Sequence, residues 1–130
     1  MTDTIAAIAT GAQVSAIGIV RVSGPDSIRI ADRLFIPEDG APMSAHESKT
    51  LVYGSLLDEK ASLLDLCLCT CSRAPRSYTG EDTVEFQCHG SPVVLRAALE
   101  ACFALGARQA GPGEFTKRAF LNGCMELFNG

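Results

Sequence analysis

Ser77-Tyr78-Thr79-Gly80-Glu81-Asp82-Thr83-Val84-Glu85-Phe86-Gln87-Cys88-His89 begins as a polar loop and ends as a strand. Ser77, Thr79, Gly80 and Asp82 are turn formers, able to bend the backbone or hydrogen-bond to it. Val84 and Phe86 alternate with Glu85 and Gln87, the period-two pattern of a half-buried strand. The strand runs into His89-Gly90-Ser91-Pro92, read as a tight turn with Ser91 as helix N-cap and Pro92 at the first helical position. A polar loop, a strand carrying an acid and the positive end of a helix thus meet within one short stretch. Small-molecule sites in α/β domains are often built this way, from polar loop groups positioned by rigid elements.

Upstream, Thr4 to Thr10 and Ala16 to Val22 are apolar and β-compatible, with Gly11-Ala12-Gln13 between them, which predicts a hairpin. Ser23-Gly24-Pro25-Asp26 opens a helix that runs through about Phe35, with Ile28, Ala31 and Phe35 on one face. Pro37 to Lys49 reads as a polar loop. Leu51 to Leu57 and Leu63 to Ser72 are two further strands joined by a turn at Asp58-Glu59-Lys60.

Downstream, Pro92 to Leu105 is the strongest helix, with an apolar stripe of Val94, Leu95, Ala98, Leu99, Cys102 and Phe103 and with Gly106 as C-terminal cap. Arg108 to Ala110 is a short strand. Glu114 to Asn122 is a short helix ended by Gly123, and Met125 to Gly130 resembles the start of another helix. The order β-β-α-β-β-β-α-β-α predicts an α+β domain with a mixed sheet and about three helices. Residues 1–123 form that domain and 124–130 begin a following helical segment.

A chain of 130 residues, 47% of them apolar, is expected to fold as one domain with a real core. The net charge of −4, with no basic run, argues against a stand-alone nucleic-acid binder. There is no signal-peptide pattern and no run approaching the ~20 apolar residues of a membrane span. A cytoplasmic location is therefore expected, with the six cysteines reduced.

Several residues could carry chemistry. Arg21 lies on an apolar strand, where its head must reach water, an internal acid or a ligand anion. Glu85 either faces solvent or accepts two parallel hydrogen bonds from an amino-pyrimidinone edge. Cys67, Cys69 and Cys71 alternate and so share one face. One-residue spacing on a strand holds their sulfurs ~7 Å apart, which points to buried apolar side chains and no metal site. His89 is a turn residue, a possible base or ligand contact beside the polar loop. Lys117 and Arg118 read as solvated or structural. No glycine precedes a lysine and no Gly-x-Gly-x-x-Gly occurs, so neither a P-loop nor a Rossmann fingerprint is present.

Three blocks carry a family resemblance: Ile17-Gly18-Ile19-Val20-Arg21-Val22-Ser23-Gly24; Ser77 to Asp82 with Glu85 and His89-Gly90; and Gly111-Pro112-Gly113-Glu114-Phe115-Thr116-Lys117-Arg118-Ala119-Phe120-Leu121-Asn122-Gly123. In this order they resemble the N-terminal domain of the MnmE (TrmE) family of tRNA-modification GTPases. The resemblance implies a fold like the tetrahydrofolate-binding domain of the glycine-cleavage T-protein. It also implies a homodimer that holds 5-formyl-tetrahydrofolate or another reduced folate. The folate would supply a one-carbon unit to the wobble uridine of tRNA, with an MnmG-type flavoprotein as partner and tRNA met only through the larger complex. By the same resemblance Arg21 and Glu85 contact the folate. The family's third contact is a lysine in an Asn-Gly-Lys run, and this chain has Asn122-Gly123-Cys124, so Cys124 stands at the lysine position. The family's glycine-rich loop also departs, as Gly11-Ala12-Gln13-Val14-Ser15-Ala16. By the same resemblance these residues are expected to correspond to the N-terminal domain alone, without the family's helical and GTPase domains, and no GTP site is expected in them. The rival expectations are a folate-independent interaction module and a stand-alone folate-dependent one-carbon transferase.

Overall fold

Strands β1 (Ile5–Ile8) and β2 (Ile17–Ser23) pair antiparallel from Ile5↔Ser23 to Ile8↔Val20, as the apolar β-rich pattern predicts. The computed structural model describes residues 3–9 and 17–124, so the turn expected at Gly11-Ala12-Gln13 and the helix start at Met125 to Gly130 lie outside the described residues. Helix α1 (Ser27–Leu34) follows, and it ends one residue earlier than its sequence pattern suggests. Phe35 takes an extended backbone (φ −134°, ψ 125°) and starts a short strand, β3 (Phe35–Pro37). Sheet pairing accounts for the break: Phe35 stands opposite Leu56 of the next strand and is fully buried there, so the chain leaves the helix for the sheet one residue early. The buried stripe of α1 is therefore Ile30, Ala31 and Leu34, with Ile28 packed at its margin. Phe35 instead packs its ring against Phe86, with centroids 6.4 Å apart.

Strand β3 pairs antiparallel with β4 (Val52–Leu57), beginning at Phe35↔Leu56. The loop between them is less polar in effect than its composition: a 3₁₀ turn at Met43–Ala45 sends the Met43 side chain wholly into the core. Then come β5 (Leu63–Ser72), β6 (Thr83–His89), helix α2 (Pro92–Ala104), a two-residue β7 (Arg108–Gln109) and helix α3 (Glu114–Leu121). Ser91 occupies the N-cap of α2 with extended backbone and Pro92 its first turn, although the Ser91 side chain makes no capping bond.

Among the described residues seven strands form one sheet in the order β3-β4-β5-β6-β2-β1-β7. All neighbours are antiparallel except β1 and β7, which run parallel. With its three helices this is an α+β fold. Helices α1 and α2 pack on one face of the sheet. That face buries Val20 and Val22 of β2, Cys67, Cys69 and Cys71 of β5, and Val84, Phe86 and Cys88 of β6. The alternating cysteine row is thus part of the core. At Gly18 the approach of α2 is so close that an added Cβ would stand 2.5 Å from Leu95 Cδ1. The period of two then commits Arg21, Thr70, Glu85 and Gln87 to the opposite face.

Phe86 lies at the centre of this packing with no exposure to solvent. Replacement Phe86→Ala is expected to lower the unfolding free energy by about 3–5 kcal/mol, the usual cost of an aromatic-sized cavity. Urea denaturation followed by circular dichroism measures it, with a fall in midpoint and little change in slope.

Candidate ligand site on the open sheet face

Arg21 of β2 and Glu85 of β6 are direct cross-strand partners, and their side chains meet on the face that α1 and α2 leave open. Arg21 Nε donates to Glu85 Oε2 at 2.9 Å, and both side chains are about three-quarters buried (27% and 25% exposed). The Arg21 guanidinium also lies between two rings, with its central carbon 5.4 Å from the centroid of Tyr78 and 5.5 Å from that of Phe115. Such stacking holds a cation over aromatic faces and restricts its torsions. The bond to Glu85 uses Nε; among the described residues the two Nη groups have no hydrogen-bond acceptor.

Two cavities open on either side of this pair. One, of 150 Å³, is lined by Arg21, Thr70, Ser72, Tyr78, Thr83 and Glu85. The other, of 260 Å³, shares Arg21 and Tyr78 and reaches between Ala7 and Ala9 on one side and Phe115 and Thr116 on the other. Ionic, aromatic and hydroxyl groups therefore converge on one cleft. The arrangement suits a flat, polar heterocycle: a carboxylate for a donor edge, a guanidinium for acceptors, and rings for stacking.

The loop from Ser77 to Asp82 closes this cleft, and it is tied at every step. Tyr78 Oη and Thr116 Oγ1 are 2.8 Å apart, which fixes the ring to α3. Thr79 is fully buried, with Oγ1 2.7 Å from Ser23 Oγ, and its carbonyl accepts from Asn122 Nδ2 at 2.8 Å. The Ser77 hydroxyl donates to the Glu81 carbonyl, and Asp82 accepts from the Ala74 backbone N–H. Gly80, at φ +82°, lies so close to α3's end that a Cβ would stand 2.6 Å from Asn122 Cβ and 3.0 Å from Cys124 Sγ. Both the backbone conformation and the space require glycine there.

Beneath the loop sits an ionic cluster that sequence reasoning missed. Arg118, taken from sequence as solvated or structural, is 6% exposed and is structural in a specific way. Its guanidinium donates to Glu81 Oε1 at 3.0 Å, to Asp3 Oδ1 at 2.8 Å, to the Asp3 carbonyl at 2.7 Å and to Glu114 Oε2 at 3.1 Å. Arg108 adds a second cation against Asp3 and Glu114. The Arg108 guanidinium holds the carboxyls of Asp3 and Glu114 down to about 2, helped at Glu114 by the Gly111 N–H. Ser23 Oγ donates to Glu81 Oε1 at 2.7 Å and so joins the cluster to the strand that carries Arg21.

The other sequence candidates fall elsewhere. Cys124 is exposed and lies beside Gly80 of the loop, with its backbone N–H bonded to the Ala119 carbonyl at 2.8 Å. His89 shares Glu85's face but sits four residues along β6, about 13 Å away at strand rise. It is the last strand residue, not a turn residue, and its Nδ1 faces the Asp65 carboxylate at 2.9 Å. Tyr78 and Phe115, the two stacking rings, had no assigned role in the sequence; the alternation that marks Arg21 says nothing about which loop residues reach over it.

The comparisons with known proteins come to one family. The model for "GTP-binding protein TrmE N-terminus" matches residues 4–124. The tRNA modification GTPase MnmE of Symbiobacterium thermophilum is 50% identical over 125 residues, 96% of this chain and 27% of that protein. The proteins of the same name from Carboxydothermus hydrogenoformans and Parabacteroides distasonis are 49% and 45% identical over 98% and 96% of this chain, and 28% and 27% of their own lengths. The chain thus spans about a quarter of the curated relatives it matches.

The cluster has a measurable pH signature. Asp3 and Glu114 titrate lower in the folded chain than in the unfolded one. Their contribution to stability is therefore complete above the ordinary carboxylate range and is lost as pH falls from about 4.5 towards about 2. Melting temperature is expected to fall across that window, and Glu114→Gln is expected to be less stable at pH 7 and to show a shallower fall; equal profiles would contradict the assignment.

Proposed function

Because this chain belongs to the TrmE N-terminal family, we propose that it is the reduced-folate-binding domain of an MnmE-type tRNA-modification protein, with Arg21 and Glu85 as the pterin contacts. The Arg21–Glu85 pair between Tyr78 and Phe115 is the observation that carries this reading. A pterin presents an amino-pyrimidinone edge with two adjacent donors. Glu85 accepts both, while the Nη groups of Arg21 turn to ring acceptors and the aromatic side chains cover the ring faces. The ligand replaces part of the internal ion pair with charge-assisted bonds of its own, so neither charge is left buried and unpaired. In the larger protein the folate would bring the one-carbon unit to the wobble uridine, with an MnmG-type flavoprotein sharing the chemistry. A homodimer is part of the same proposal; light scattering on the 13.7 kDa chain is expected to give about twice that mass.

Calorimetry with 5-formyl-tetrahydrofolate tests the site directly. Glu85→Gln is expected to weaken binding by about 1.5–3 kcal/mol, the worth of hydrogen bonds to a charged acceptor. No heat and no shift in melting temperature at millimolar ligand would remove the folate reading and leave the interaction-module reading in its place.

The cysteine at position 124 gives a second test. It stands beside the loop that closes the cleft, where a lysine would add one positive charge. Cys124→Lys is expected to tighten folate binding by about 1–2 kcal/mol, or about 5- to 30-fold, with the gain shrinking as salt rises. Equal affinity of wild type and variant at low salt would mean that position 124 does not face the ligand's anionic part.

A further inference from the structure

The ladder between β5 and β6 runs from Ser72↔Thr83 to Leu68↔Gln87 and stops. One residue beyond its end on each strand stand Cys67 and Cys88, both on the core face and both buried (5% and 1% exposed). Asp65 lies two residues further along β5. Its carboxylate and the two sulfurs all lie within 4.8 Å of one another. The carboxylate is held in place: it accepts from the His89 backbone N–H at 2.8 Å, from the Leu66 N–H at 2.9 Å, and faces His89 Nδ1 at 2.9 Å. A groove of 290 Å³ on the open face, lined by Ile17, Tyr53, Leu66 and Gln87, also borders Cys67 and Cys88.

We propose that Asp65, Cys67 and Cys88 form a binding site for a thiophilic divalent cation, Zn²⁺ in chemical class, with His89 orienting the carboxylate. Two sulfurs and one oxygen are the donor set that borderline-soft d¹⁰ cations take in tetrahedral sites. With metal–sulfur bonds near 2.3 Å and metal–oxygen bonds near 2.1 Å, tetrahedral ligand atoms stand about 3.4–3.8 Å apart, so the cluster closes with shifts of about 1 Å. Binding exchanges the two thiol protons, released to solvent, for two metal–sulfur bonds, and leaves one tetrahedral position for water. The His89–Asp65 contact has the form of the outer hydrogen bonds that fix metal-ligating side chains. The in-strand spacing of Cys67, Cys69 and Cys71 gives no convergence; the site arises because the partner strand supplies the second sulfur.

Cobalt titration of the 130-residue chain under a non-chelating reductant tests the site. One Co²⁺ per chain is expected, with thiolate-to-cobalt charge-transfer absorption and the intense visible bands of tetrahedral coordination, reversed by Zn²⁺. Cys67→Ser and Cys88→Ser should each weaken the charge-transfer bands and the double variant should remove them, while Cys69→Ser should keep them. Because the buried cysteines also pack the core, His89→Ala provides a milder variant at an exposed residue, expected to weaken metal binding about 10-fold without loss of fold. Absence of the bands in wild type, or their persistence in Cys67→Ser/Cys88→Ser, would overturn the site. So would a Cys67–Cys88 disulfide in the reduced, metal-treated sample, seen as a loss of two hydrogens by mass spectrometry.

Discussion

Seven consecutive pairs, from Ile17↔His89 to Ser23↔Thr83, lock β2 against β6, and the rest of the molecule depends on that register. Side chains alternate across a sheet, so this one alignment sends Val20, Val22, Val84 and Phe86 to the helices and Arg21 and Glu85 to the other face. A slip by one residue would exchange the two sets. It would bury an arginine and a glutamate under α1 and α2 and strand four apolar side chains in water. Register is thus specified by the core, and the ionic pair is placed as a consequence of core packing. Gly18 contributes from the same strand, since only a residue without Cβ lets Leu95 settle on β2. The candidate site is rigid where it matters because its two charged residues sit on two adjacent interior strands of the packed sheet.

The loop over the site has a different kind of support. Its residues are small and polar, and a loop of that composition has little apolar surface to bury. Ordering it costs backbone entropy, which hydrogen bonds from two other elements offset: Ser23 from β2, and Thr116 and the C-cap Asn122 from α3. Arg118 then couples Glu81 of the loop to Asp3 and Glu114. A guanidinium with several carboxylate partners needs only one side chain to be ordered for several interactions, and its burial is tolerable because both Nη groups meet acceptors. Tyr78 stands over Arg21 because this frame holds the loop down.

The strands other than β3, the three helices and the polarity of the sheet were legible in the sequence because they rest on periodicity, which is local. Phe35 fits the helical spacing of α1 and yet belongs to the sheet, because its pairing with Leu56 is a long-range contact that spacing does not show. Arg21 and Glu85 could be singled out as charged residues among apolar ones, yet their bond to each other is a property of register and does not follow from either strand alone. Arg118 was invisible as a hub because its three acidic partners lie 4, 37 and 115 residues away. The same limit applied to the cysteines: spacing along β5 correctly excludes convergence within the row, and says nothing of a sulfur arriving from β6.

Strand β1 lies between β2 and β7, and its outer neighbour is the parallel two-residue strand that begins at Arg108. Asp3 meets Arg108 at a sequence separation of 105 residues and Arg118 at 115. A growing polypeptide that lengthens by about 5–20 residues per second makes its first strand about 5–20 s before the partners that cover that strand's edge. For that interval the nascent domain carries an unsealed, apolar β-edge at its amino end, bounded by a hairpin that cannot yet close its outer side. Closure by such distant pairing is intrinsically late in folding. Arg108 and Arg118 therefore act as a late seal on this domain: the outer edge of β1 stays uncovered until residues 105 and 115 positions downstream of Asp3 have been made.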